Sequence, residues 1–179
     1  MNDAPLRLAG AAALLIAGAY FLLSHYRPAS DAIQAQISPA TLYATQFPDL
    51  RGQPQALGQW QGKLLVLNFW ASWCAPCREE IPHLIQAQRS YGGRGVQIVG
   101  VAVDSPDKAG LYAREMGVDY PVLVDEAGGL ALAKRLGNRP SVLPFTVIID
   151  PQGRVAGTVV GGVDEARLEQ VLQHALPRL

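Results

Sequence analysis

The residues best suited to chemistry are the two cysteines, Cys74 and Cys77, which stand three positions apart in the run Trp73-Cys74-Ala75-Pro76-Cys77. A disulfide between them would close a very small ring and remove little chain entropy from the unfolded state, so a purely structural bond explains the pair poorly. Two thiols at this spacing are typical of a centre that exchanges electrons by thiol-disulfide exchange. We therefore interpret the pair as a redox-active disulfide that needs no other cofactor.

The position of the pair assigns a different role to each sulfur. The apolar run Leu64 to Trp70 predicts a buried strand, and we expect a helix to begin at Cys74 directly after it. Cys74 then lies at the positive end of the helix, where a thiolate is favoured, and Cys77 follows one turn later on the same face. Cys74 is the predicted nucleophile, and Cys77 is the thiol that resolves a mixed disulfide.

Glu80 is the predicted proton acceptor for the resolving thiol. It stands three residues after Cys77, on the same helical face, where a desolvated carboxylate could take and return a proton. The alternative is a solvated residue that supports the helix dipole, which suits Glu79 better because its side chain projects in another direction.

Three more residues near the cysteine pair, Trp73, Pro76 and Pro82, could influence its chemistry or the shape of its helix. Trp73 either shields the disulfide and forms part of a docking surface or is simply a core residue. Pro76 should stiffen the turn and tune the reduction potential. Pro82 either kinks the helix or marks its end at Ile81, although apolar spacing continues beyond it.

The rest of the chain alternates strands and helices, which predicts an α/β fold with a mixed central sheet and helices on both faces. A hairpin is expected within residues 47–63, and a terminal hairpin and helix close the domain. The further predicted strands are 96–103, 121–124, 145–149 and 154–161, and the predicted helices are 105–117, 129–136 and 164–176.

The amino-terminal part differs in composition from the rest. Leu8 to Tyr26 is a 19-residue stretch without Lys, Arg, Asp or Glu, long enough to cross a hydrocarbon core of ~30 Å as a helix. The alternative is a cleaved signal peptide, but a convincing small-x-small cleavage site is missing. We predict a membrane anchor over residues 1–27, a linker over 28–46 and one globular domain over 47–179. The chain after residue 27 has 13 basic and 14 acidic residues, a balance that predicts no nucleic-acid partner.

The fifteen residues from Asn68 to Pro82, NFWASWCAPCREEIP, resemble the signature of TlpA/ResA-type exported thioredoxin-like proteins. The similarity extends over residues 47–179 and includes the segment Leu143 to Asp150. It implies a thioredoxin fold with a cis peptide bond before Pro144, which would face the cysteines and pair its neighbouring backbone with substrate. It also implies a proton-transfer role for Glu80.

The resemblance further implies a location and partners. The domain would lie on the periplasmic or outer side of a bacterial inner membrane, attached by a single-pass anchor. It would reduce specific protein disulfides, as in the maturation of cytochrome c or of copper sites, and a membrane electron carrier would reduce it again.

Two features depart from related proteins. Asn68 stands where cytosolic thioredoxins have a buried aspartate, so Glu80 would have to replace that proton-transfer group. The connection Asn138 to Val142 before Leu143 is longer than the family pattern. It should border the substrate groove, so the substrate preference of relatives does not transfer directly.

The sequence leaves two alternative functions open. Segments 103–106 and 120–125 resemble parts of peroxiredoxins, which suggests a thiol peroxidase, but Ala71 occupies the position where those enzymes have a threonine. A copper metallochaperone could use the two thiolates for Cu(I), yet it lacks the additional histidine usually supplied. A zinc site would need four ligands, and no second cysteine pair exists.

Overall fold

A computed structural model describes residues 37–176 of the chain. The predicted anchor and residues 28–36 of the predicted linker lie outside these residues. Within residues 37–176, no helix has the length and apolar character needed to cross a membrane.

The fold is centred on a five-stranded mixed sheet whose strands lie in the order β5-β4-β3-β6-β7. The first three strands of this order are parallel, and β6 and β7 are antiparallel to their neighbours. The strands between residues 37 and 176 are Gln46–Pro48 (β1), Pro54–Ala56 (β2), Leu64–Trp70 (β3), Val96–Ala102 (β4), Val122–Val124 (β5), Phe145–Ile149 (β6) and Val155–Val160 (β7). The α-helices of this described part are Pro39–Ala44 (α1), Ala75–Tyr91 (α2), Pro106–Glu115 (α3), Glu126–Arg135 (α4) and Glu165–Ala175 (α5).

Strand β3 lies in the middle of the sheet, and every one of its side chains is buried. Alternate residues point to opposite faces, as the pleat requires. Val66 and Trp70 enter a core with α2, α3 and α5, whereas Leu67 and Phe69 enter a second core with α1 and α4. The predicted α/β architecture with helices on both faces is confirmed.

The packed part of the chain begins earlier than the sequence predicted. Residues 39–44, assigned to the linker, form α1, whose first turn is capped by the Ser38 hydroxyl accepting from the Thr41 N–H. Leu42 is fully buried against the second core, and this burial holds α1 on the domain. The folded domain thus begins before the predicted linker boundary at residue 46, because Leu42 and the partly buried Ile37 pack on the second core.

Helix α4 also begins before its predicted start at Gly129. The Asp125 side chain accepts a hydrogen bond from the Gly128 N–H and caps the helix there. Both glycines are helical, and Gly129 is buried where α4 packs closely on Val101 and Val103. Close packing against β4 offsets the low helix propensity of the two glycines.

Candidate active site

The two cysteines form a disulfide at the start of α2, with their Cα atoms 5.3 Å apart. Cys74 is the N-cap residue, as predicted, and its Sγ accepts a hydrogen bond from the Cys77 N–H at 3.3 Å. The free N–H groups of this first helical turn stabilise negative charge on the first sulfur once the bond is reduced. Cys74 is 6% exposed and Cys77 is fully buried, so an incoming thiol or disulfide meets Cys74 first.

Helix α2 continues through Pro82 to Tyr91, so the alternative in which it ends at Ile81 is wrong. Proline in a helix interior removes one backbone hydrogen bond, here to the carbonyl of Arg78. The helix survives this loss because the residues after Pro82 are apolar and packed: Leu84 and Ile85 are buried in the first core. The helix therefore carries the cysteines and Glu80 on one continuous element.

Glu80 lies one turn after Cys77 and is 1% exposed, so the prediction of a desolvated carboxylate is confirmed. Its Oε1 accepts a hydrogen bond from Asn68 Nδ2 at 2.6 Å, and its Oε2 accepts one from the Val163 N–H at 2.9 Å. Burial raises the pKa of Glu80 to about 7, against the two hydrogen bonds, which act to lower it. The carboxyl group can therefore gain or lose a proton near neutral pH.

Asn68 is an integral part of this carboxyl environment. It lies on β3 opposite Thr146 of β6, and its Nδ2 donates to the Thr146 hydroxyl at 3.0 Å as well as to Glu80. Its Oδ1 is buried, and none of residues 37–176 donates a hydrogen bond to it. The sequence had marked Asn68 only as the site of a missing aspartate, whereas the structure makes it the donor that holds Glu80.

Pro144 follows a cis peptide bond, which confirms that prediction. Its carbonyl accepts from the Gly161 N–H at 2.9 Å, and the next residue, Gly162, lies beside Pro76. This connection brings the carboxyl end of β7 next to the redox turn. Its contact with substrate stays a prediction.

Trp73 and Pro76 are both exposed, and 68% of the Trp73 surface is accessible. Trp73 is therefore not a core residue, and it lies immediately before the nucleophilic sulfur in the chain. A large exposed indole at this place provides apolar contact area for a partner. The structure is thus compatible with the docking interpretation of Trp73 rather than the core one.

Asp104 supports the redox turn, and sequence reasoning missed it. Its Oδ2 accepts from both the N–H and the hydroxyl of Ser72, at 2.8 and 2.6 Å, and its Oδ1 accepts from the Ser105 N–H at 2.8 Å. The available signal was a carboxylate at the end of a buried strand that pairs with β3. Ser105 next to it is the N-cap residue of α3, although its side chain makes no capping hydrogen bond in the described part of the chain.

The longer connection before Leu143 is an ordered loop held by side-chain hydrogen bonds. Asn138 is 1% exposed, and its side-chain amide donates to the Val142 carbonyl at 2.8 Å and accepts from the Val142 N–H at 3.1 Å. Ser141 has a φ of 54°, in the left-handed region, and Val142 is 42% exposed. Asn138 therefore holds the chain in a fixed turn two residues before Pro144.

Comparisons with known proteins assign the family. The model of the AhpC/TSA family matches residues 39–158. The ResA thiol-disulfide oxidoreductase of Halalkalibacterium halodurans is 31% identical over 130 residues, which cover 72% of each chain. The ResA protein of Bacillus subtilis is also 31% identical, over 72% of this chain and 70% of its own.

Solved structures give the same assignment. A thioredoxin-family thiol:disulfide interchange protein from Chlorobium tepidum superposes with a TM-score of 0.67 at 28% identity, covering 74% of this chain and 92% of that one. A secreted thiol-disulfide isomerase from Corynebacterium glutamicum gives 0.67 at 30% identity, covering 76% and 84%. With its capped Cys74–Cys77 disulfide on a thioredoxin-like sheet, the chain belongs to the AhpC/TSA family and is a thiol-disulfide oxidoreductase of the ResA type, acting on protein disulfides.

Proposed function

We propose that the protein works as a reductase of specific protein disulfides, with Cys74 as the nucleophile and Cys77 as the resolving thiol. The observation that carries this proposal is the pairing of a helix-capping, slightly exposed Cys74 with a buried Cys77 one turn before a buried carboxyl group. An enzyme of this kind needs one reactive sulfur and one protected sulfur with its own proton acceptor. Glu80 is that acceptor.

In the proposed cycle, the Cys74 thiolate attacks one sulfur of the substrate disulfide and releases the other as a thiolate. The Cys77 thiol then gives its proton to Glu80 and attacks Cys74 in the mixed disulfide, which releases the second substrate thiolate. The substrate gains two electrons and takes up two protons from solvent, while the two enzyme sulfurs are oxidised to the disulfide. The pKa of about 7 at Glu80 suits a group that accepts and returns a proton at neutral pH.

Substrate would dock at the surface formed by Trp73, Pro76 and the backbone beside Pro144. Trp73 is an exposed apolar side chain, and so is Val142, which stands two residues before Pro144 in the chain. The backbone before Pro144 would pair with an extended substrate segment and hold its cystine over Cys74.

For the compartment, we propose a single-pass anchor within residues 1–27 and a catalytic domain on the periplasmic or outer face. The apolar stretch from Leu8 to Tyr26 supports an anchor, and one structural relative is named a secreted isomerase. A membrane electron carrier would then reduce the enzyme again, and proteins under assembly with haem or copper are the proposed substrates. An alkaline phosphatase fusion after residue 36 tests the orientation: an active fusion is expected, and an inactive one contradicts export.

The two other functions have less support. Ala71, which has no hydroxyl, stands three residues before Cys74, where a peroxiredoxin-type site would need threonine. For copper delivery, residues 37–176 contain no cluster of three or more His, Cys, Asp or Glu side chains arranged around a metal position. The curated relatives described above are named as oxidoreductases, which favours neither alternative.

The deciding experiment is capture of the mixed disulfide. In a Cys77→Ala variant, Cys74 can attack a substrate but the adduct cannot be resolved, so covalent complexes with exported proteins should accumulate and disappear with reductant. The matched control is Cys74→Ala, which should capture nothing because its remaining thiol is buried. Equal capture by both variants would contradict the assigned roles.

The direction of electron flow is tested by the reduction potential of the pair. We expect a value near that of thioredoxin, about −270 mV, and a value near about −120 mV would make the protein an oxidant instead. The role of Glu80 is tested separately: Glu80→Gln should change the pH profile of thiol alkylation, and an unchanged profile would remove that role.

A further inference from the structure

A cleft of about 270 Å³ lies next to the buried carboxyl group of Glu80. It is lined by Glu80 itself, by His83 and Glu79 of the same helix, and by Val163 and Asp164 before α5. Glu79 and Asp164 are exposed, so the mouth of the cleft opens to solvent. The cleft therefore joins a buried acid to bulk water.

The Glu80 carboxyl group has an inner and an outer oxygen. Oε1 is directed into the protein, where Asn68 donates to it, and Oε2 accepts from the backbone N–H of Val163. Val163 also lines the cleft, so Oε2 is hydrogen-bonded to a residue of the cleft wall, and we take it as the oxygen from which a proton leaves.

His83 is the side chain placed to receive that proton. It stands three residues after Glu80 on α2, and residues at this spacing are neighbours on a helix surface, with Cβ atoms roughly 5–6 Å apart. His83 is half-buried and lines the same cleft. Imidazole is the side chain that takes up and releases protons most readily at neutral pH.

We propose that His83 relays the proton between Glu80 and solvent through this cleft. The inference rests on the proposed role of Glu80 and extends it to the next step. After Cys77 has passed its proton to Glu80, the proton moves from Oε2 to the imidazole of His83, directly or through one water, and then leaves for solvent. No electron moves in this step, and both Glu80 and His83 return to their starting protonation states.

Besides Glu80 and His83, the described ionisable side chains that line the cleft are Glu79 and Asp164, and both are acidic. On its other side His83 borders a second cleft that contains Tyr91, Glu165 and Glu169. On the inner side Glu80 meets Asn68, and its charge also acts on Tyr120. No described Lys or Arg residue lines either cleft.

The test is the rate at which Cys77 resolves a preformed mixed disulfide on Cys74, measured by rapid quench in weakly buffered solution. His83→Gln should slow this step by about tenfold near neutral pH, because one proton-transfer group is lost. Added imidazole should restore the rate of the variant and leave the natural protein unaffected. The matched control is His174→Gln on α5, which lies in a different groove, beside β7, and should change nothing.

A normal rate in His83→Gln without added buffer would overturn the relay, and so would a slow rate that imidazole does not restore. The natural protein gives a check that needs no variant, since acceleration by imidazole would show that no internal relay operates. Glu80→Gln distinguishes failure of the relay from failure of the proposed function. If Glu80→Gln alters the pH profile but His83→Gln has normal kinetics, the relay through His83 is wrong and the role of Glu80 as proton acceptor stands. If Glu80→Gln is also normal, the proposed function of Glu80 fails as well.

Discussion

The Asn68 amide nitrogen lies 2.6 Å from the Glu80 carboxylate, across the interface between the central strand β3 and helix α2. A donor at this position stabilises the ionised carboxyl group, and burial opposes it. Because burial raises the pKa of Glu80 and the hydrogen bonds lower it, the resulting pKa is about 7. The amide at position 68 thus holds Glu80, the acid proposed to replace the buried aspartate of cytosolic thioredoxins.

Glu80 should make the stability of the oxidised protein depend on pH. Its pKa rises from 4.5 in the unfolded chain to about 7 in the fold, so between these values the folded protein keeps a proton that the unfolded chain has released. Raising the pH through this window therefore favours unfolding, by up to about 3 kcal/mol. Urea midpoints at pH 5 and pH 8 should differ less in Glu80→Gln than in the natural protein. An equal difference in both would contradict the assignment.

Asn68→Asp should raise the pKa of Glu80 further, because a second carboxylate next to the first disfavours its ionised form. The midpoint of the thiol-reactivity profile should move to higher pH by about one unit or more, and the two acids would titrate as a coupled pair. Thr146→Val serves as control, since it removes the other partner of the Asn68 amide without adding charge. A midpoint that moves to lower pH would contradict this account.

Asp104→Ala should destabilise the redox turn. The substitution leaves the N–H groups of Ser72 and Ser105 without their acceptor, at a cost of about 1–3 kcal/mol. Ser72→Ala removes only the hydroxyl bond and should cost about 1 kcal/mol. Denaturant unfolding of both variants, with Asp107→Ala as an exposed control on α3, measures the difference. Equal midpoints for Asp104→Ala and Asp107→Ala would refute the role of Asp104.

Asn138→Ala should affect protein substrates more than small ones. The substitution frees the backbone of Val142, which lies two residues before Pro144, and so loosens the loop without touching either sulfur. The KM for a protein disulfide should increase, whereas the reaction with a small aromatic disulfide should stay within about twofold, because it needs little docking surface. Ser141→Gly is the control, since glycine adopts its positive φ without strain. Parallel losses for both substrates would indicate a general folding defect.

Gly100→Ala should destabilise the first core. A Cβ there would lie 2.9 Å from Trp70 Nε1 and 3.3 Å from Tyr120 Cε2, and both side chains are buried. Overpacking of this kind typically costs about 1–3 kcal/mol. Gly157→Ala on β7 is the matched control, because its new Cβ meets no atom within 4 Å. Chemical denaturation should separate the two variants, and identical stabilities would show that the core can repack freely.

Local pattern was sufficient to predict the sheet and the redox turn. The continuous apolar run predicts β3, and the proline-containing turn after it predicts the start of α2. Both features can be predicted locally, because strand burial and helix capping depend on a few neighbouring residues. Glu80 followed from helical spacing alone. The membrane anchor and the domain on its outer side stay predictions from the sequence.

Long-range contacts were beyond the reach of local pattern. Leu42 brings α1 into the core, Asp104 reaches Ser72 from the neighbouring strand, and Val163 caps Glu80 from 83 residues away. The sequence by itself determined which sulfurs and which acid stand together, because a helix fixes the neighbours of each residue within one turn. Only the tertiary structure decided how that acid is solvated, since its burial, its amide donor and its cleft come from segments that meet through folding.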